Sequence, residues 1–197
     1  MKSFFFFLLL TVSFLTFSCN QDQSTDNKAD MHDHQAATEQ ETTTAKKPLS
    51  PRTNAMANIG EVHVHIDYSS PGVRGRTIWG GLVAYDQVWV TGAHKATSID
   101  FSKDVVINGQ KVEAGTYGFF TIPGKELWTI IINKNHEQHL ADDYDQTQDV
   151  LRLRVTPEDL SETVESLTYQ IIPTGENKGS VSVMWDRLKI SFEVTTA

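Results

Sequence analysis

Five of the seven histidines lie within residues 50–197, His63, His65, His94, His136 and His139, and they are the residues best suited to chemistry. His63 and His65 stand two apart in an alternating run, so they share one strand face with Cα atoms about 7 Å apart. Such a pair chelates zinc or copper when a third ligand arrives from elsewhere. His94 and His139 are the candidates to supply it, with Asp142, Asp143 and Asp145 as nearby carboxylates. That set would make the chain a histidine-ligated metal protein, such as a metal-dependent hydrolase. The opposing reading leaves His63 and His65 on the wet face of an early, edge-like strand, and leaves His136 and His139 in a polar loop where they need not converge. His136-Glu137-Gln138-His139 is one residue short of the spacing that puts two zinc ligands on one helix face.

A second cluster is Arg74, Arg76, Trp79, Tyr85, Trp89, Thr91 and His94. Guanidinium forks pair with carboxylate, phosphate or sulfate, and aromatic faces stack on sugars. The cluster therefore fits a ligand site for an anionic glycan or an envelope protein. It fits a structural role too, in which Trp79 and Trp89 plug the end of the fold while Arg76 satisfies loop carbonyls or pairs with Asp86. The acidic stretch from Glu137 to Asp149 offers Asp142, Asp143, Asp145 and Asp149 to calcium, without the spacing or glycine of an EF-hand loop, and reads more simply as a solvated loop. There is no Gly-x-Ser-x-Gly elbow and no phosphate-binding loop ending in Gly-Lys-Ser or Gly-Lys-Thr.

Three segments must position these groups. In residues 1–19 a lone Lys2 precedes an apolar run that ends at Ser18-Cys19. The run is too short for a stable span and fits an export signal. A small residue before the chain's single cysteine resembles a lipoprotein signal of the loose form found in Bacteroidetes, in which Cys19 becomes the lipidated first residue. Residues 20–49 are rich in Gln, Asp, Thr, Ala and Lys and poor in apolar side chains, so they read as a flexible tether. Met31-His32-Asp33-His34 within it reads as a polar tract with, at most, weak affinity for copper or zinc. Residues 50–197 are long enough for one domain with a full core. The expected location is the cell envelope, as an outer-membrane-anchored lipoprotein facing the periplasm or the surface. The formal charge is −8, from 17 Lys and Arg against 25 Asp and Glu, with no basic block. Such a chain is no nucleic-acid binder, since phosphate neutralisation needs clustered cations. With one cysteine there is no disulfide framework and no thiolate metal site in the domain.

The domain reads as all-β, an antiparallel β-sandwich or open barrel. Val62, Val64, Ile66 and Tyr68 alternate with polar residues; so do Leu151, Leu153 and Val155; Val181, Val183 and Trp185; and Leu188, Ile190, Phe192 and Val194. Residues 116–122 and 127–133 are apolar throughout, as central strands are. Asn108-Gly109 is a hairpin turn, and further turns are expected at Pro123-Gly124-Lys125-Glu126 and Asn177-Lys178-Gly179. Pro157-Glu158-Asp159-Leu160 reads as one helical turn. Buried parity is odd through Trp185 and even from Leu188, so Asp186 and Arg187 must hold a bulge or a tight bend. Neither residue favours positive φ, so a bend is preferred there to a two-residue hairpin turn. Residues 69–96 have no strand period and keep their aromatics, arginines and glycines, the mark of a loop that binds something or caps a core.

Residues 50–194 resemble the DUF2911 family. The resemblance is carried by Ser50-Pro51, Tyr68-Ser69 with Pro71, Gly75-Arg76, Ile78-Trp79-Gly80, Leu82-Val83, Val88-Trp89 and Thr91-Gly92-Ala93, and then by Ala114-Gly115-Thr116-Tyr117, Ile122-Pro123, Trp128-Thr129 and Asp149-Val150-Leu151-Arg152. It implies no activity. It does mark departures: Val90 stands where the family pattern implies Arg, His94 where it implies Asn, and His136 to Leu140 where it implies a Trp-Gly pair. The expected function is therefore a lipid-anchored envelope binding module whose ligand contacts the loop from Arg74 to His94, with the metal protein as the alternative.

Overall fold

The computed structural model describes residues 48–196. The expected signal segment, Cys19, the Met31–His34 tract and nearly all of the expected tether lie outside them. Ten strands form two antiparallel sheets, with a single 3-10 turn at Gln146–Gln148 and no α-helix among the described residues. Strands β1 (Arg52–Ile59), β2 (Val62–Ser69), β3 (Ser98–Phe101), β6 (Gly115–Ile122), β7 (Trp128–Asn133) and β8 (Asp149–Val155) make the first sheet, in the order β1-β2-β3-β6-β7-β8. Strands β4 (Val105–Ile107), β5 (Gln110–Val112), β9 (Glu158–Gly175) and β10 (Lys178–Thr196) make the second, in the order β5-β4-β10-β9. Each sheet keeps two edges, so the fold is an open sandwich and not a barrel.

The alternating residues do what their period requires. Val64, Ile66, Ile99, Phe101, Phe119, Ile130 and Ile132 of the first sheet bury against Val181, Val183, Trp185, Ile190, Phe192 and Val194 of the second. Strands β6 and β7 are apolar on both sides because both are covered. Phe120 and Ile131 on the far face pack with Val90, Ala96 and Tyr144, brought by residues 88–96 and 134–148. Asn108 and Gly109, at φ 50° and 77°, close the β4–β5 hairpin, as the primed turn demands.

Three expectations need correction. Residues 157–160 form no helical turn: β9 begins at Glu158 and runs to Gly175, paired with β10. The two runs around Asp186 are one strand, β10, which keeps its pairing through register shifts on either side of Asp186. Asp186 adopts φ 54°, so a bulge with a left-handed residue flips the buried face, and no bend divides the strand. Finally, β2 is not an edge: β1 covers one flank and β3 the other.

Residues 70–97 join β2 to β3 and strap the two sheets together. The strap binds the second sheet where Val73 N donates to Glu165 O (2.7 Å) and Leu167 N to Pro71 O (2.9 Å). It binds the first sheet where Trp89 and Thr121 exchange backbone bonds of 2.8 and 2.9 Å. It also holds the loop after β7, where Ala96 N donates to Gln138 O and Leu140 N to His94 O (2.7 Å).

Candidate functional site

Where the strap turns back over the sandwich it leaves a cleft of about 300 Å³. Arg74, Arg76, Trp89 and His94 line it, together with Ser50, Pro71, Leu82, Leu140 and Trp185. Four of the seven side chains expected in the ligand cluster therefore meet there. Their roles differ. The Arg76 guanidinium folds back onto its own loop, donating to the carbonyls of Val73 (Nε, 3.1 Å) and Gly72. It does not pair with Asp86. The backbone N–H of Arg74 is held by Glu165 Oε1 at 2.8 Å, yet among the described residues its guanidinium makes no ion pair or hydrogen bond. Arg74 is exposed, so its fork is free to take an anion at the cleft mouth.

The other three side chains serve the walls. Trp79 packs edge-on against Trp128 (ring centres 4.8 Å apart), Trp89 (5.9 Å) and Trp185 (5.9 Å). Trp89 and Trp185 lie nearly parallel, 5.8 Å apart and 20° between planes. All four tryptophans of the chain thus form one cluster, whose outer pair backs the cleft. Trp89 is pinned by its indole N–H, which donates to Gly92 O at 3.2 Å. Tyr85 lies across Gly80, where any side chain would strike its ring at 2.8 Å. Thr91 is fully buried. Its hydroxyl meets that of Thr121 at 2.9 Å, and its carbonyl accepts from Thr97 Oγ1 (3.2 Å) and Tyr169 Oη (2.8 Å). Burial raises the Tyr169 phenol well above its ordinary pKa, so it remains a donor. These bonds fix Thr91 and the residues that follow it, Gly92, Ala93 and His94, as the cleft floor.

The backbone here is unusual. Among the described residues seven non-glycine residues adopt positive φ, and three of them line this one cleft: Arg74 (49°), His94 (61°) and Leu140 (51°). Thr91 (50°) lies directly beneath. Positive φ costs of order 1 kcal/mol or more for a residue with a Cβ, and it concentrates where chain direction serves a site. Leu82 and Leu140 are 49 % and 41 % exposed at the rim, an apolar margin that water does not favour.

Leu140 and Trp185 complete the cleft without any local signal in the sequence. One comes from the loop after β7, the other from β10, and only the topology brings them to the strap.

The histidines divide. His63 and His65 stack on the outer face of β2, ring centres 6.4 Å apart and 20° between planes. The segments carrying His94 and His139 meet through their backbones, with Lys95 opposite His139, but His139 turns to Asp142 (Nδ1 to Oδ2, 3.4 Å). Among the described residues no three His, Cys, Asp or Glu side chains gather closely enough to hold a metal ion. The acidic loop is committed to its own shape. Asp145 accepts from Thr147 N (2.9 Å), and Asp149 takes Tyr144 Oη, Asn133 Nδ2 and Arg152 Nη1, each at 2.7 Å.

Residues 50–194 match the model of a family described as "Protein of unknown function (DUF2911)". No curated protein and no solved structure matches the chain.

Proposed function

The chain belongs to the DUF2911 family, whose function is unknown, so its activity must be read from its own side chains, and we propose that it is a binding module of the cell envelope. In this reading Cys19 carries a lipid that holds the module to the outer membrane, facing periplasm or surface, and residues 20–49 give it reach. The ligand enters the cleft between Arg74 and His94. It carries an anionic group for the Arg74 fork and a ring or sugar face for Trp89, with Leu82 and Leu140 closing over its apolar edge. An acidic oligosaccharide has this chemistry. A cleft of about 300 Å³ accommodates one or two sugar units.

The observation that carries the reading is the convergence of three strained backbones, at Arg74, His94 and Leu140, on one cleft with a guanidinium that has no partner among the described residues. A fold needing only a plug at this end would gain from relaxed residues at those positions. Trp89 and Trp185 line the cleft, so their emission reports occupancy. The test is fluorescence titration of the full chain with galacturonate and glucuronate oligosaccharides beside neutral ones of equal length. Saturable quenching is expected with the acidic series, weakened about ten- to a hundredfold in Arg74→Ala, as loss of a charge-assisted bond predicts. Equal affinity for neutral sugars, or an unchanged affinity in Arg74→Ala, would overturn the assignment.

A further inference from the structure

The outer face of β1, β2 and β3 holds a donor set unrelated to the cleft. In the antiparallel register His63 faces Asn58 and His65 faces Met56 across the β1–β2 pair, while Asp100 faces His65 from β3. Directly opposed residues project to the same side with Cβ atoms about 5 Å apart. Met56 is 54 % exposed, an uncommon position for a flexible apolar side chain on a face otherwise polar. His63 Nδ1 lies 2.9 Å from Asn58 Oδ1. A carboxamide oxygen only accepts, so in the neutral ring the proton sits on Nδ1 and the lone pair on Nε2. An imidazole held this way by its other nitrogen is what a metal ligand requires.

We propose that His63 and His65, with the Met56 thioether from the neighbouring strand, bind a single copper(I) ion on this face. Two imidazoles on one ion, each nitrogen about 2 Å from it, keep ring centres about 5–6 Å apart, close to the 6.4 Å found here. His63 is exposed and His65 half-buried; turning their nearly parallel rings about χ1 and χ2 brings both lone pairs onto one ion. The mixed nitrogen and sulfur set selects among metals: imidazole suits zinc and both copper states, whereas a thioether favours copper(I). Asp100, tied to Thr116 Oγ1 at 2.7 Å, adds negative potential beside the cation without blocking it. The site does not depend on His94 or His139 and does not rest on the glycan reading.

The test is anaerobic competition for copper(I) against bathocuproine disulfonate. It uses the full chain in detergent with Cys19→Ser, Met31→Leu, His32→Ala and His34→Ala, which leaves Met1 as the one sulfur donor outside the described residues. One equivalent of copper(I) is expected to stay with this parent. Affinity is expected to fall about a hundredfold in His63→Ala, and about tenfold in Met56→Leu and in Asn58→Ala, the usual loss when an orienting group is removed. Zinc binding should be indifferent to Met56→Leu. The tryptophan near-ultraviolet dichroism verifies each fold, and His63→Gln replaces any variant that loses it. Absence of retained copper(I), an unchanged affinity in His63→Ala, or equal copper(I) affinity in Met56→Leu and the parent would each overturn the proposal.

Discussion

The phenol of Tyr169 donates to the carbonyl of Thr91 at 2.8 Å, joining residues 78 positions apart and tying β9 to the floor of the cleft. The bond is buried, and Thr91 sits at φ 50°, so it holds a strained residue in place. Tyr169→Phe leaves the carbonyl with only Thr97 Oγ1. Stability is expected to fall by about 1–2 kcal/mol, read as a lower urea midpoint with unchanged slope. Acidic-oligosaccharide affinity should fall with it, although Tyr169 does not line the cleft.

Leu140 offers the opposite trade. Its φ of 51° strains a bulky residue whose side chain is 41 % exposed. Leu140→Gly should raise stability by up to about 1 kcal/mol by releasing that strain. It should also weaken ligand binding, since the rim loses its apolar edge. A parallel urea series and fluorescence titration decide the matter: a destabilised Leu140→Gly would show that its packing outweighs the backbone cost.

The two arginines of the cleft should separate cleanly. Arg76 binds two loop carbonyls, so Arg76→Ala should lower the thermal midpoint by several degrees, the shift expected for a loss of about 1 kcal/mol or more. Among the described residues the Arg74 guanidinium has no partner, so Arg74→Ala should leave the midpoint within about 1 °C while reducing affinity. The reverse pattern would place the anion contact at Arg76.

Tyr144 predicts an alkaline transition. Burial, then the bond to the Asp149 carboxylate, raises its pKa from 10.0 to about 12. The folded state therefore holds the phenol proton more tightly than the unfolded chain does. The stability this contributes is complete below pH 10 and is lost as pH rises from 10 through about 12. Tyr169 and Tyr117 shift in the same direction, so the contribution of Tyr144 is the difference between the parent and Tyr144→Phe. That variant should lose less stability over the same interval. It should also loosen residues 134–148, read as faster amide exchange there.

The sandwich, the hairpin at Asn108-Gly109 and the parity change at Asp186 were legible because each follows from a period or a turn dipeptide. Strands β1 and β9 were not. In β1 only Ile59 is fully buried, and in β9 only Leu167 and Tyr169 are, so neither edge strand writes an alternating pattern. The cleft was half legible. Arg74, Arg76, Trp89 and His94 stand out in a segment without a period, whereas Leu140 and Trp185 reach it through topology alone. Trp79 and Thr91 were drawn inward by the tryptophan cluster and by the Tyr169 bond, and Tyr85 lies against Gly80. Nothing local distinguishes an aromatic that packs from one that binds. The shared face of His63 and His65 was readable from spacing; the contribution of Met56 follows only once β1 pairs with β2.

The position of β10 has a consequence for the order of assembly. It is the last strand in chain order, yet it lies between β4 and β9 and joins them. Until it arrives, the β4–β5 hairpin and the long β9 strand have no common partner, and the apolar face of the first sheet has no lid. The first sheet, by contrast, is built largely from neighbours in the chain. Assembly should therefore proceed in two stages, with closure awaiting the final strand, and a chain stopped short of β10 would expose its inner face to whatever binds unfolded polypeptides.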